Sequence, residues 1–159
     1  MVTGLIVGKF APFHLGHEHI LASAYAQTEQ LIVLLYDAPD CTRVPLAVRA
    51  GWIRAAYPRA TVIEGYNPPP RGVWDDETMK QHEQFIKDFL APYQVTHVYS
   101  GESYGDRLAA VLDAEHVMVE KIRGELPLSA SLLRRNPGLY REFVQENVYA
   151  DLEKYGDMV

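Results

Sequence analysis

The sequence lacks several features that would place it in other protein classes. It has a single cysteine, Cys41, so no internal disulfide can form, and this composition fits a reducing compartment. No apolar run approaches the roughly 20 residues that a membrane span needs. The N-terminus has no charged segment followed by a long apolar core, so no signal peptide is predicted. We therefore expect a soluble, cytoplasmic protein.

An excess of basic residues is also lacking. The chain has 15 Lys and Arg against 21 Asp and Glu, a formal net charge of −6. This balance disfavours nonspecific binding to nucleic acid or to a membrane surface, although local Lys and Arg can still form a nucleotide site. A length of 159 residues predicts one domain over 1–159 with a sizeable core.

Short apolar runs alternate with helical patterns along the chain. The runs predict five strands, near residues 5–7, 31–36, 61–63, 95–100 and 116–119. This order predicts an α/β fold with a doubly wound, five-stranded parallel sheet and right-handed crossovers. A helical C-terminal segment is expected over about 129–159. Its last stretch, Leu139 to Tyr155, is expected to cover the edge of the sheet, in one or two short helices.

The junction between the first strand and the first helix has an unusual composition. His14 and His17 follow the strand and precede an apolar helical stripe, so both imidazoles are expected near the strand's carboxyl end. The helix N-terminus favours phosphate, and Gly8 and Gly16 carry no Cβ to keep a polyanion away from the backbone. The alternative is that the histidines merely cap a helix and pack in the core.

Other junctions contain polar side chains that suit the same kind of ligand. Ser129 is a good N-cap for a short helix that carries Ser131 and Arg134. Residues 67–72, rich in proline, predict an ordered loop on the ligand side of the sheet. For Arg49, on the flank of the second helix, two interpretations are open: a solvated surface arginine, or one that reaches the phosphate site.

These groups suit phosphoryl chemistry without a covalent nucleophile. The sequence has no serine in a nucleophile elbow and no P-loop lysine motif. Histidines, cations, hydroxyls and helix N-termini favour displacement at a nucleotide's α-phosphorus, where positioning and charge stabilisation supply most of the catalysis. Mg²⁺ is expected with the triphosphate, held mainly through phosphates and water, and no protein metal site is predicted.

Two motifs resemble those of a known superfamily. The pattern G-x-F-x-P-x-H-x-G-H at 8–17 resembles the signature of the nucleotidylyltransferases, and 128–134 resembles their second signature, I-S-x-T-x-(I/V)-R. Nearly the whole chain is similar to the adenylyltransferase domain of nicotinamide mononucleotide (NMN) adenylyltransferases, in the bacterial form fused to a ribosylnicotinamide kinase. Leu128 and Ser131 replace the usual isoleucine and threonine. The resemblance implies a Rossmann-like fold.

The resemblance also implies roles for individual residues. The set implied to bind ATP is Gly8, Lys9, Phe10, His14, Gly16, His17, Ser129, Ser131 and Arg134, of which Lys9, His14, His17 and Arg134 would act in catalysis. The set implied to bind the acceptor is Arg49, Trp74, Ser100, Gly101, Glu102, Tyr104 and Arg123. Trp74 would stack on the nicotinamide ring, with a half-buried core residue as the alternative. Glu102 would contact a ribose or the adenine side, with a simple turn carboxylate as the alternative.

The expected reaction is ATP plus NMN giving NAD plus pyrophosphate. Pantetheine-phosphate adenylyltransferases are a related alternative, but they usually begin G-T-F-D-P where this chain has Gly8-Lys9-Phe10-Ala11-Pro12. The R-T-x-G-I-S-T-T signature of cytidylyltransferases is missing. A non-catalytic sensor of NAD or ATP is the alternative from another class, and the retained His14, His17 and Arg134 argue against it. The oligomeric state is open, with a homo-oligomer as one outcome.

Overall fold

The structure is a computed structural model that describes residues 1–70, 75–119 and 129–157. The strands are β1 (Thr3–Gly8), β2 (Gln30–Tyr36), β3 (Thr61–Gly65), β4 (His97–Ser100) and β5 (Glu115–Met118). The helices are α1 (Leu15–Gln27), α2 (Leu46–Ala56), α3 (Asp76–Leu90), α4 (Tyr104–Val111), α5 (Ala130–Arg135), α6 (Tyr140–Phe143) and α7 (Glu146–Lys154), with a 3₁₀ turn at Pro137–Leu139.

The five strands form one sheet in the order β3-β2-β1-β4-β5, and all four neighbouring pairs are parallel. The chain moves outward from β1 to β3, returns to the centre, and continues from β4 to β5. The direction therefore switches between β1 and β4, and ligands of open α/β sheets bind beyond the carboxyl ends of strands at such a point. The predicted α/β class and five-stranded parallel sheet are confirmed.

Side chains of the central strands alternate between two apolar clusters, one on each face of the sheet. In β2, Val33 and Leu35 join one cluster, whereas Ile32 and Leu34 join the other, as the two-residue period of a strand requires. Helices α1, α2, α5, α6 and α7 contribute buried residues to the first cluster. Helices α3 and α4 cover the second.

The C-terminal helices add buried residues to the first cluster. Leu133, Tyr140, Val148 and Leu152 are buried there, and the indole N–H of Trp52 in α2 donates to a carboxylate of α7, that of Asp151, at 2.7 Å. Helix α7 packs against α2 and α6, and the expectation that this segment covers the edge of the sheet stays a prediction. Within the described residues, no helix has the length and apolarity to cross a membrane.

Candidate functional site

The two histidines cap helix α1 with their side chains. His14 is the N-cap, and its Nδ1 accepts hydrogen bonds from the backbone N–H groups of Gly16 (3.0 Å) and His17 (3.4 Å). The Nδ1 of His17 accepts in return from the backbone N–H of His14 at 3.3 Å. This is a capping box made of two histidines instead of the usual hydroxyl and carboxylate. Capping and ligand binding are therefore compatible here, because each ring uses only one nitrogen for the cap.

These hydrogen bonds fix the tautomer of both rings. An imidazole nitrogen that accepts a hydrogen bond carries no proton, so each neutral ring has its proton on Nε2. The two rings stack with centroids 3.8 Å apart and an interplanar angle of 23°. Two Nε2–H donors are therefore held side by side at the N-terminus of α1, the end that attracts anions.

Burial keeps both histidines neutral. It lowers the pKa of His14 from 6.5 to about 4. Burial, followed by repulsion from His14, lowers the pKa of His17 well below its usual value. At neutral pH the pair therefore offers N–H donors without positive charge, and a full charge at this site has to come from neighbouring cations.

Phe10 shapes the loop between β1 and α1. It is buried, has a left-handed backbone conformation with φ of 49°, and its ring lies 4.6 Å from that of His17. A Cβ on Gly8 would stand 3.2 Å from the Phe10 ring, so the glycine makes room for a side chain of the site itself. The loop includes a cis peptide bond between Ala11 and Pro12.

Helix α5 brings the second motif to this loop. The Ser129 hydroxyl caps the helix by accepting from the backbone N–H of Leu132 at 3.1 Å. The Arg134 guanidinium donates to the carbonyl of Ala11 at 2.7 Å and contacts the Ser131 hydroxyl at 3.4 Å. Residues 123 positions apart in sequence are thus adjacent. The structure places the predicted cation next to the loop that leads to the two neutral histidines.

A cavity of about 770 Å³ opens beside this loop, at the carboxyl ends of β1, β2 and β4. Gly8 and Lys9 line it, together with three residues that were predicted to bind the acceptor, Ser100, Glu102 and Tyr104. The volume is in the range of small-molecule sites. Gly101, also predicted for the acceptor side, lies between Ser100 and Glu102 in the chain.

The cavity also has lining residues that sequence reasoning missed. Asp37 and Asp40 follow β2, and the rule that ligands bind beyond strand ends could have found them. His82 of α3 is buried, with its ring nitrogens 3.4 Å from the Tyr36 hydroxyl and 3.3 Å from the Pro70 carbonyl. A lone histidine within a helix gives no sequence signal for such a position.

The structure buries Arg49 instead of leaving it at the surface. Its side chain is 1% exposed, and it donates to the carbonyls of Lys9 (2.6 Å), Tyr36 (3.1 Å) and Val44 (3.2 Å). It also forms an ion pair with Asp37 at 3.3 Å. Burial lowers its pKa, and Asp37 counteracts that shift. Arg49 is therefore not a solvated surface residue; it holds together the backbone beside the cavity, and its role in ligand binding stays a prediction.

The remaining predicted site residues are Lys9, Trp74 and Arg123, and only Lys9 belongs to the described residues. The Lys9 ammonium lies 3.9 Å from the Cys41 sulfur. Trp74 and Arg123 lie outside the described residues, so their roles stay predictions. No group of three or more His, Cys, Asp or Glu side chains in 1–70, 75–119 and 129–157 is arranged to hold a metal ion.

Comparisons with known proteins show what the chain is similar to in sequence and in fold. No protein-family model matches the sequence. The trifunctional NAD biosynthesis/regulator protein NadR of Salmonella typhimurium is 26% identical over 168 residues, which cover 91% of this chain and 39% of that protein. A crystal structure of NadR in complex with NAD and AMP-PNP has a TM-score of 0.64 at 17% identity, covering 97% of this chain and 46% of the other.

A second solved structure has the same fold. The bifunctional NMN adenylyltransferase/ADP ribose pyrophosphatase of Francisella tularensis has a TM-score of 0.62 at 13% identity, covering 99% of this chain and 48% of the other. The chain is thus similar in sequence to NadR, and similar in fold to NadR and to this adenylyltransferase. These similarities agree with the resemblance inferred from the two motifs, and the Rossmann-like fold that it implies is confirmed. The chain spans about two fifths (39%) of the length of the curated relatives it matches.

Proposed function

We propose that this protein transfers AMP from ATP to nicotinamide mononucleotide, giving NAD and pyrophosphate. The observation that carries the proposal is the pair of stacked, neutral Nε2–H donors of His14 and His17, next to Arg134 and to a separate cavity. The donors and the cation suit a polyphosphate, and the cavity suits the group that accepts the nucleotide. The solved structure of NadR, which has a similar fold, contains NAD and AMP-PNP, and this likeness supports an ATP site and a nicotinamide nucleotide site in the present chain.

The reaction is a displacement at the α-phosphorus of ATP. A phosphate oxygen of the acceptor attacks, the bond between the α-phosphorus and the bridging oxygen breaks, and pyrophosphate leaves. His14 and His17 would donate to phosphate oxygens and stabilise the developing charge, while Arg134 and Lys9 would supply positive charge. Ser129 and Ser131 would hold the terminal phosphates. Mg²⁺ would enter with ATP, coordinated by phosphate oxygens and water.

The test is a pyrophosphate-release assay with ATP, Mg²⁺ and a panel of acceptors. The panel holds NMN, its deamidated acid, phosphopantetheine, riboflavin phosphate and glycerol 3-phosphate. We expect release only with a nicotinamide-type mononucleotide, and the ratio of kcat/KM values then gives the preference for amide or acid. Release with phosphopantetheine alone would replace the proposed acceptor while retaining adenylyl transfer.

A second candidate is a non-catalytic sensor of NAD or ATP. The relative from Salmonella typhimurium is named as a regulator as well as a biosynthetic protein, which favours this alternative. Calorimetric binding of ATP without pyrophosphate release for any acceptor would support the sensor and contradict the enzyme.

A further inference from the structure

A chain of three hydrogen-bonded side chains lies behind the cavity wall. The Oγ of Ser100, at the end of β4, is 2.7 Å from Nε2 of His116 in β5, and Nδ1 of that ring is 2.8 Å from a carboxylate oxygen of Asp106 in α4. The His116 side chain is 6% exposed, whereas Asp106 is 76% exposed. None of the three groups belongs to the phosphate-binding motifs, and only Ser100 lines the cavity.

The backbone of α4 leaves room for this contact at one glycine. A Cβ on Gly105 would lie 2.2 Å from Nε2 of His116 and 2.3 Å from Oγ of Ser100. Any larger residue would push the imidazole and the hydroxyl apart. The hydrogen bond between Ser100 and His116 therefore depends on glycine at the first turn of α4.

The contacts determine where the proton of Ser100 can point. A carboxylate only accepts, so the His116 nitrogen facing Asp106 carries a proton. When the ring is neutral, its other nitrogen has a lone pair and accepts a hydrogen bond from the Ser100 hydroxyl. When the ring is charged, it donates to Ser100, whose proton then goes to the Glu102 carbonyl at 2.9 Å. In both states the protein itself uses the only proton of Ser100. The backbone N–H of Glu102 also donates to the Ser100 oxygen, at 3.3 Å, so one lone pair is left for a ligand when the His116 ring is neutral.

We propose that His116 and Asp106 are positioning residues that make Ser100 solely a hydrogen-bond acceptor toward the cavity. The subsite next to Ser100 then selects a hydroxyl or amino group of a nucleotide and disfavours a phosphate or carboxylate oxygen. The nucleotide class of the ligand rests on the proposed function, whereas the direction of the hydrogen bonds does not.

The first test uses binding of ATP and NMN, measured separately by calorimetry. We expect Ser100→Ala to raise the Kd of one of these ligands about ten-fold, the loss typical of one hydrogen bond. Analogues of that ligand that each lack one hydroxyl or amino group identify the group that Ser100 binds. For the analogue that lacks this group, we expect the native protein to show the same ten-fold rise in Kd, and Ser100→Ala to show no additional rise. Ser103→Ala, in the same loop, is the matched control. Unchanged Kd values for both ligands in Ser100→Ala would overturn the proposal.

The positioning role has its own variants. His116→Leu frees the proton of Ser100 and is expected to raise KM for the same ligand about ten-fold, with kcat within about two-fold. His116→Gln, whose amide can still bond Ser100, is expected to restore most of the affinity. Equal losses of affinity for this ligand in His116→Leu and His116→Gln would contradict a hydrogen-bonding role for the ring.

A ligand-free measurement tests the network even where a variant does not fold or the native protein binds neither nucleotide. In ¹⁵N NMR of the native protein, we expect the neutral His116 ring to carry its proton on Nδ1. A neutral ring protonated on Nε2 would overturn the network. Hydrolysis of p-nitrophenyl acetate that is lost in Ser100→Ala would overturn it too, because Ser100 would then act as a nucleophile. Failure of both nucleotides to bind the native protein would count against the proposed function and against a nucleotide subsite. The tautomer of His116 would still show whether the hydrogen bonds between Ser100, His116 and Asp106 exist as proposed.

Discussion

At the scale of single residues, His14 and His17 each serve structure with one nitrogen and the site with the other. Nδ1 of each ring caps α1, which leaves Nε2–H as the group that a ligand meets. Because burial keeps both rings neutral, the catalytic role proposed for this pair would depend on hydrogen bonding rather than on proton transfer. Removing one ring therefore tests a single donor.

His17→Ala is expected to lower kcat by about 10²-fold or more, because a donor aimed at the developing charge is lost. His19→Ala, an exposed histidine in the same helix, is the control and should retain activity within about two-fold. Steady-state kinetics and a melting curve for each variant check this. A near-native rate for His17→Ala with unchanged melting would contradict the role of that ring.

The lowered pKa of His14 predicts how stability changes with pH. Between pH 6.5 and about 4 the unfolded chain binds more protons at this position than the folded chain. Stability from this group is therefore fully present above pH 6.5 and falls as the pH is lowered, levelling off below about 4. The side chain in His14→Asn keeps a capping oxygen but does not titrate. When the pH is lowered from 7 to 4.5, the free energy of unfolding should therefore fall by about 2 kcal/mol less in this variant than in the native protein.

Urea unfolding of both proteins at the two pH values measures this difference. His19→Asn serves as the exposed control and should follow the native protein. Parallel losses for His14→Asn and the native protein would show that His14 titrates normally in the folded state.

The sequence predicted the histidine pair because their spacing and the flanking strand and helix locate both rings. It could not predict the tautomers, which depend on three backbone N–H groups at hydrogen-bonding distance. Arg49 shows another limit. Its burial depends on carbonyls from three segments, those of Lys9, Tyr36 and Val44. No local sequence pattern around Arg49 indicates that these three carbonyls lie around its side chain.

At the scale of elements, Arg49 joins α2 to the ends of β1 and β2. Replacing it with methionine fills part of the volume but leaves three carbonyls without their donor and Asp37 without its cation. We expect Arg49→Met to reduce the free energy of unfolding by about 2–4 kcal/mol. Arg54→Met, on the same helix with a side chain 47% exposed, should change it by less than about 1 kcal/mol.

Denaturant unfolding of both variants at pH 7 measures these differences. A loss in Arg49→Met no larger than in Arg54→Met would show that the buried hydrogen bonds contribute little. A loss confined to substrate affinity, without destabilisation, would return Arg49 to the ligand-binding role first expected of it.

The positions of the strands were easier to predict from the sequence than the packing of the C-terminal helices. Each of the five strands is short and contains or adjoins an apolar run, so its approximate position follows from local sequence. The packing of the C-terminal helices was not predictable in the same way, because α5 and α6 have only 6 and 4 residues. Their location depends on which part of the core lacks cover, a property of the whole fold.

At the scale of the whole molecule, the topology explains how separate segments form one site. The switch between β1 and β4 leaves space at their carboxyl ends, and the cavity of about 770 Å³ lies there. Helix α5 adds a cation to the neighbouring loop from the far end of the chain. Ser100, Glu102 and Tyr104, which the resemblance assigned to the acceptor, line this cavity, whereas the contribution of α3 through His82 required the folded structure.

The most direct test of adenylyl transfer follows the α-phosphorus of ATP. The protein is incubated with Mg²⁺, NMN and ATP that carries ³²P at the α-position, and the products are separated by chromatography. We predict that the label appears in NAD, in an amount equal to the pyrophosphate released, and that His17→Ala forms this product about 10²-fold more slowly. Label that stays in ATP while the protein binds both nucleotides, or that appears only in free AMP, would contradict adenylyl transfer to this acceptor.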